Sequence, residues 1–65
     1  MKVRYFEDSD TLLIELRVAA IAETRDLDES TAIDLDASGN ICSITIEHAS
    51  IRADAPRFSF EKVAA

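Results

Sequence analysis

From Thr31 to His48 the chain alternates apolar and polar side chains with a period of two, interrupted once at its only glycine, Gly39. Successive side chains of a strand point to opposite faces, so this pattern predicts two strands, Thr31–Ala37 and Asn40–His48, joined as a hairpin. Two loops are conceivable. A three-residue loop, Ala37-Ser38-Gly39, pairs Asp36 with Asn40 and sets Asp34 on the face of Cys42, Ile44 and Ile46. A two-residue loop, Ser38-Gly39, pairs Asp36 with Ile41 and Ile33 with Ile44. The second keeps Ile33, Leu35, Cys42, Ile44 and Ile46 apart from Asp34, Asp36, Ser43, Thr45 and Glu47, and is therefore the expected register. Gly39 then occupies a turn position that needs a positive φ.

The same alternation runs from Met1 to Leu16, broken at Glu7-Asp8-Ser9-Asp10, whose short polar side chains favour a turn. With Asp8-Ser9 as the loop, Tyr5 faces Leu12, Val3 faces Ile14 and Met1 faces Leu16, while Lys2 meets Glu15 on the other side. Residues Ile21–Leu27 alternate more weakly, with Glu23 and Arg25 on one face. They are expected as an edge strand whose charges deter stray pairing, followed by a turn at Asp28-Glu29-Ser30. Toward the end, Asp54-Ala55-Pro56 resembles a helix start, whereas Phe58 and Phe60 are spaced as in a strand. The expected fold class is mainly β (a small α+β domain): an antiparallel meander of four to five strands with a short C-terminal helix or an extra strand. Residues 1–65 form a single domain, strand-rich over 1–48, with a C-terminal element over 51–64.

Length and charge then exclude whole classes of function. Sixty-five residues hold one small domain and no separate catalytic lobe. Seven Lys+Arg against thirteen Asp+Glu give a net charge of -6, which a nucleic-acid backbone repels. The longest uncharged runs, such as Thr11–Ile14 and Ile41–Ile46, fall far short of the roughly 20 residues that cross a bilayer. The N-terminus has no apolar run of the kind that directs export. Cys42 is the only cysteine, so no internal disulfide forms and multi-thiolate zinc sites are excluded. A reducing cytoplasm is the expected location, without nucleic-acid or membrane partners.

Several residue groups invite a chemical reading. The string Asp34-Leu35-Asp36-Ala37-Ser38-Gly39-Asn40-Ile41 matches the early positions of a calcium loop, but Thr45 stands where the closing glutamate belongs, and the flanks are strands. His48 lies close to Glu47 and Ser50, yet Glu47 and His48 point to opposite faces of a strand, and no Gly-x-Ser-x-Gly elbow is present. Asp34, Asp36 and His48 together would be the residues of a metal-dependent hydrolase, the alternative reading from the enzyme class. Cys42 and Tyr5 read as core. A single glycine rules out a glycine-rich phosphate loop. No catalytic, cofactor or metal residue is therefore expected. Phe6 and Leu13, between Arg4, Glu15 and Arg17, form an apolar spot that either docks a partner or is covered by Phe58 and Phe60.

The succession Lys2-Val3-Arg4-Tyr5, an acidic turn, Thr11-Leu12-Leu13-Ile14, Ala22-Glu23-Thr24, Asp34-Leu35-Asp36 with Gly39, and Ile44-Thr45-Ile46-Glu47-His48-Ala49-Ser50 resembles the short prokaryotic family known as domain of unknown function 2283. Two positions depart from that pattern: Ser43 replaces a usual glycine and Thr45 a usual glutamate, so whatever that glutamate does is not carried over. The resemblance implies small free-standing proteins without an assigned activity, some suspected of serving as antitoxins to toxin-like partners. A chain this short is marginal alone, since it buries only about 60% of its unfolded surface. The expected function is a non-enzymatic protein-interaction module, acting as a homodimer or with a basic partner through Phe6, Leu13, Phe58 and Phe60. A structural domain without separable activity is the third possibility.

Overall fold

Five strands build one antiparallel sheet in the computed structural model, which describes residues 1–64. Ala65, the last residue of the expected domain, lies outside the described residues. The strands are β1 (Lys2–Phe6), β2 (Thr11–Glu15), β3 (Glu23–Asp28), β4 (Thr31–Leu35) and β5 (Ile41–Glu47), followed by a four-residue helix α1 (Ala49–Arg52). Their order across the sheet is β1-β2-β5-β4-β3. The antiparallel, strand-rich class is as expected. The path departs from a simple meander at one link, because β2 lies beside β5 rather than β3. The connector from Leu16 to Ala22 crosses the β4–β5 hairpin near its turn: the Leu16 and Arg17 amides donate to the Cys42 carbonyl, and the Ala22 amide to that of Leu35. Leu35 and Cys42, both buried, lie at this crossing.

The first hairpin has the expected register, with Tyr5 opposite Leu12, Val3 opposite Ile14 and Lys2 opposite Glu15. In the second, Ile33 faces Ile44 and Asp34 faces Ser43 as expected, but the turn does not. Asp36 and Asn40 are hydrogen-bonded neighbours, with the Asp36 amide donating to the Asn40 carbonyl at 3.0 Å, and Leu35 pairs with Ile41. The loop is thus the three-residue Ala37-Ser38-Gly39, and the expected pairing of Asp36 with Ile41 is corrected. A β-bulge at Cys42 absorbs the extra residue and restores the register beyond it, so charge and apolar groups still separate. Gly39 has φ 84°, in the left-handed region, and its amide closes the turn on the Asp36 carbonyl.

These registers give the two faces different chemistry. One carries the rows Val3–Ile14–Ile44–Ile33–Arg25 and Tyr5–Leu12–Ile46–Thr31–Asp28, apolar except at the β3 edge, while the other carries Lys2–Glu15–Ser43–Asp34–Thr24 and Arg4–Leu13–Thr45–Ala32–Asp26. Of the two readings of the C-terminal element, a short helix or an extra strand, the short helix is present, though earlier in the chain than Asp54-Ala55-Pro56 suggests. It occupies Ala49–Arg52, ahead of Asp54, and residues 53–64 are neither helix nor strand. Asp54 takes a left-handed φ of 53°, which helical propagation does not allow. No helix among the described residues is long and apolar enough to cross a membrane.

Candidate functional site

The apolar face is packed sideways and scarcely roofed. Val3, Tyr5, Leu12, Ile14, Ile44 and Ile46 are all only half-buried, although β2 and β5 are interior strands. The buried apolar residues are Ile33, Leu35, Cys42, Ala49 and Ala55, of which only two carry large side chains. Buried Ala55 and the segment after it run along the β1 side, leaving an apolar groove of ≈ 620 Å³ between Val3, Tyr5 and Leu12 and the tail residues Pro56, Phe58 and Phe60.

The tail therefore lies over the apolar face and not over Phe6 and Leu13, which stand on the polar face. Of the two readings of the Phe6 and Leu13 spot, covering by Phe58 and Phe60 does not occur, and the two pairs of residues lie on opposite faces of the sheet. Phe6 remains exposed on its own face, and Phe58 and Phe60 are exposed beside the groove.

Two carboxylates that the sequence did not single out hold α1 against the end of the sheet. Asp10, in the β1–β2 turn with φ 50°, accepts the Tyr5 hydroxyl at 2.6 Å, the Ser50 hydroxyl at 2.7 Å and the Ser50 amide at 3.0 Å. Its carbonyl accepts the Ala49 amide at 2.9 Å. A residue forty positions away thus caps the helix, whose own N-cap residue, His48, makes no side-chain cap and has φ 56°. The Tyr5 and Ser50 hydrogen bonds depress the Asp10 pKa, and the bond to Asp10 raises that of Tyr5. Asp28, at the end of β3, takes the Arg52 guanidinium in a two-pronged contact of 3.1 and 2.9 Å, while Arg52 also donates to Thr31. Arg52 and the Ser30 amide hold the Asp28 pKa down to about 2. Nothing in the composition marks Asp10 among the acids of its turn, or Arg52 among the basic residues.

The residues of the hydrolase reading are kept apart. Asp36 is in the β4–β5 turn and His48 follows the other end of β5, a separation of about 20 Å for a seven-residue strand. Asp36 is occupied by the Asn40 and Ser38 amides and the Asn40 side chain, with the Asn40 bonds the main cause of its lowered pKa. Asp34 accepts the Thr24 hydroxyl at 2.6 Å and the Ser43 hydroxyl at 2.7 Å, and these bonds lower its pKa. Ser43 thus gives the Asp34 network a hydroxyl where the resemblance has glycine. The Ser50 hydroxyl donates to Asp10, not to His48. Among the described residues no group of three or more His, Cys, Asp or Glu is placed to hold a metal ion.

An open antiparallel sheet with one polar face, one thinly covered apolar face and a helix pinned across its end is a small β domain with a second layer missing. The chain belongs to the family described as protein of unknown function (DUF2283), whose family model matches residues 2–50. The matched stretch holds all five strands and ends on Ser50, the helical partner of Asp10, while the tail lining the groove lies beyond it. No curated protein and no solved structure matches the chain.

Proposed function

We propose that this is a non-enzymatic protein-interaction domain that works by laying its apolar sheet face against another protein. The observation that carries this is the surface it leaves in water. The chain exposes 5078 Å², whereas a folded monomer of 7.2 kDa is expected to expose about 4,100 Å². Its radius of gyration is 12.8 Å against roughly 11 Å for a compact chain of this length, and its extents are 35 × 32 × 18 Å. The excess lies in the slab shape, the unroofed face and the exposed tail, since a sheet with one apolar face needs a second layer to exclude water from it.

A non-catalytic reading is supported by the separation of Asp36 from His48 and by the engagement of Ser50 with Asp10. Buried, unpaired Cys42 suits a reducing compartment such as the cytoplasm. A basic partner, as an antitoxin-like role would require, would meet Asp26, Asp34 and Glu47 on the polar face, which Lys2 and Arg4 share and where Arg4 already pairs with Glu15. The test is thermal melting of the purified chain over a wide concentration range, with an apolar fluorescent dye as reporter. Association makes Tm rise with concentration, and an unfilled face binds the dye. A concentration-independent melt with no dye binding would refute the proposal.

A further inference from the structure

We infer that the occupant of the apolar face is a second copy of this chain, packed sheet against sheet so that two open layers become one β-sandwich with both polar faces outward. This rests on the interaction-domain reading above and says which partner it takes. Charge argues first. The net charge of -6 does not reside at the centre of this face: its rows Val3–Ile14–Ile44–Ile33 and Tyr5–Leu12–Ile46–Thr31 carry no ionic group from β1 to β4 and meet one only at the β3 edge, in Arg25 and Asp28. The two acids at its β3 margin are each matched by an arginine, Glu23 by Arg25 at 3.1 Å and Asp28 by Arg52 at 2.9 Å. The cations at its borders, Arg25 and Arg57, are likewise paired within the chain, Arg57 with Asp54 at 4.0 Å, so a cationic partner finds the bordering acids already engaged, and an identical face brings few charges, each matched at its edge.

Area argues second. The slab's broad side spans 35 × 32 Å, wide enough for the roughly 800 Å² per partner that a standard stable interface removes. Symmetry argues third. β5 is the middle strand of the five and Ile44 the middle residue of β5, so the apolar face is centred on Ile44. A twofold axis there sets Ile44 near its own counterpart and Ile14 and Ile33 on either side, with the sheets about 10 Å apart. The tail with Phe58 and Phe60 borders the β1 side and limits how far the second sheet slides that way.

The test is sedimentation velocity on the full chain and on Ile44→Glu, Val3→Glu and Leu13→Gln, with circular dichroism as a fold check. It is paired with isotope-filtered NMR on a mixture of labelled and unlabelled chains. The wild type is expected at twice the 7.2 kDa chain mass, with interchain contacts between the methyl groups of Ile14, Ile33 and Ile44. Ile44→Glu should weaken association by at least about 30-fold, the loss typical of a central hot spot, with a smaller loss for Val3→Glu. Leu13→Gln, on the opposite face, should leave it unchanged. If Ile44→Glu fails to fold, Val3→Glu and the interchain contacts decide. A dimer whose interchain contacts come from Phe6 and Leu13 overturns the inference. A monomer at every concentration also overturns it: with dye binding the broader reading survives, and without dye binding both fall.

Discussion

Asp28 shows how one side chain can make stability depend on acidity. In the unfolded chain it titrates near 3.8, and in the folded protein Arg52 and the Ser30 amide hold it down to about 2. Because the folded value is the lower one, the unfolded chain takes up the proton first, so the contribution is complete above about pH 4 and is lost as pH falls toward about 2. Asp10, Asp34 and Asp36 are depressed in the same direction, so all four act together. The urea midpoint should therefore be level above pH 4 and fall steadily below it. Carboxyl NMR should place the Asp28 midpoint near 2. Arg52→Met should raise that midpoint only part of the way, since the Ser30 amide still donates to Asp28. An unshifted midpoint in that variant would show the guanidinium contact to be idle in solution.

At the scale of the element, the β4–β5 hairpin shows what alternation reveals and what it conceals. Polar and apolar positions of Ile33, Asp34, Ile44 and Thr45 were legible because a strand sorts neighbours onto opposite faces. The bulge at Cys42 was not, because one extra residue shifts the register locally and leaves the pattern on either side intact. The three-residue loop mixes charge into the apolar face only if the ladder is unbroken, and the bulge breaks it. Helix α1 is concealed for another reason: four residues have too little sequence to show a period, and they are held by Asp10 in the β1–β2 turn and Asp28 at the end of β3, both distant in sequence. The side of the sheet taken by Phe58 and Phe60 was equally unreadable, since no local rule aims an irregular tail. Gly39 gives a clean test of the turn. A Cβ there would meet nothing within 4 Å, so the cost of Gly39→Ala is purely that of its φ of 84°. That cost is about 1–2 kcal/mol by urea denaturation, and less for Gly39→Asn. An unchanged midpoint for the alanine variant would mean that the turn adopts another conformation.

Across the whole molecule, the segregation of charge predicts an unusual response to salt. Two chains of net charge -6 repel each other at long range, whereas a contact between their apolar faces, as proposed, would rest on rows that hold no ion pair from β1 to β4. Shortening the Debye length from about 30 Å to about 8 Å should therefore tighten self-association. Binding of a basic protein to the acids of the polar face should weaken under the same change. Sedimentation across a salt series reads the difference directly, and looser self-association at high salt would mean that ionic contacts hold the pair.

The crossing between β2 and β3 has a consequence for how the protein is made. The N-terminal hairpin can close as soon as it is synthesised, but its neighbour in the sheet is β5, the last strand to be made. While the middle of the chain is being translated, β2 has no strand to dock against. The sheet can therefore close only once β5 has been made, and joining β2 to a strand so distant in sequence costs more loop-closure entropy than closing either hairpin.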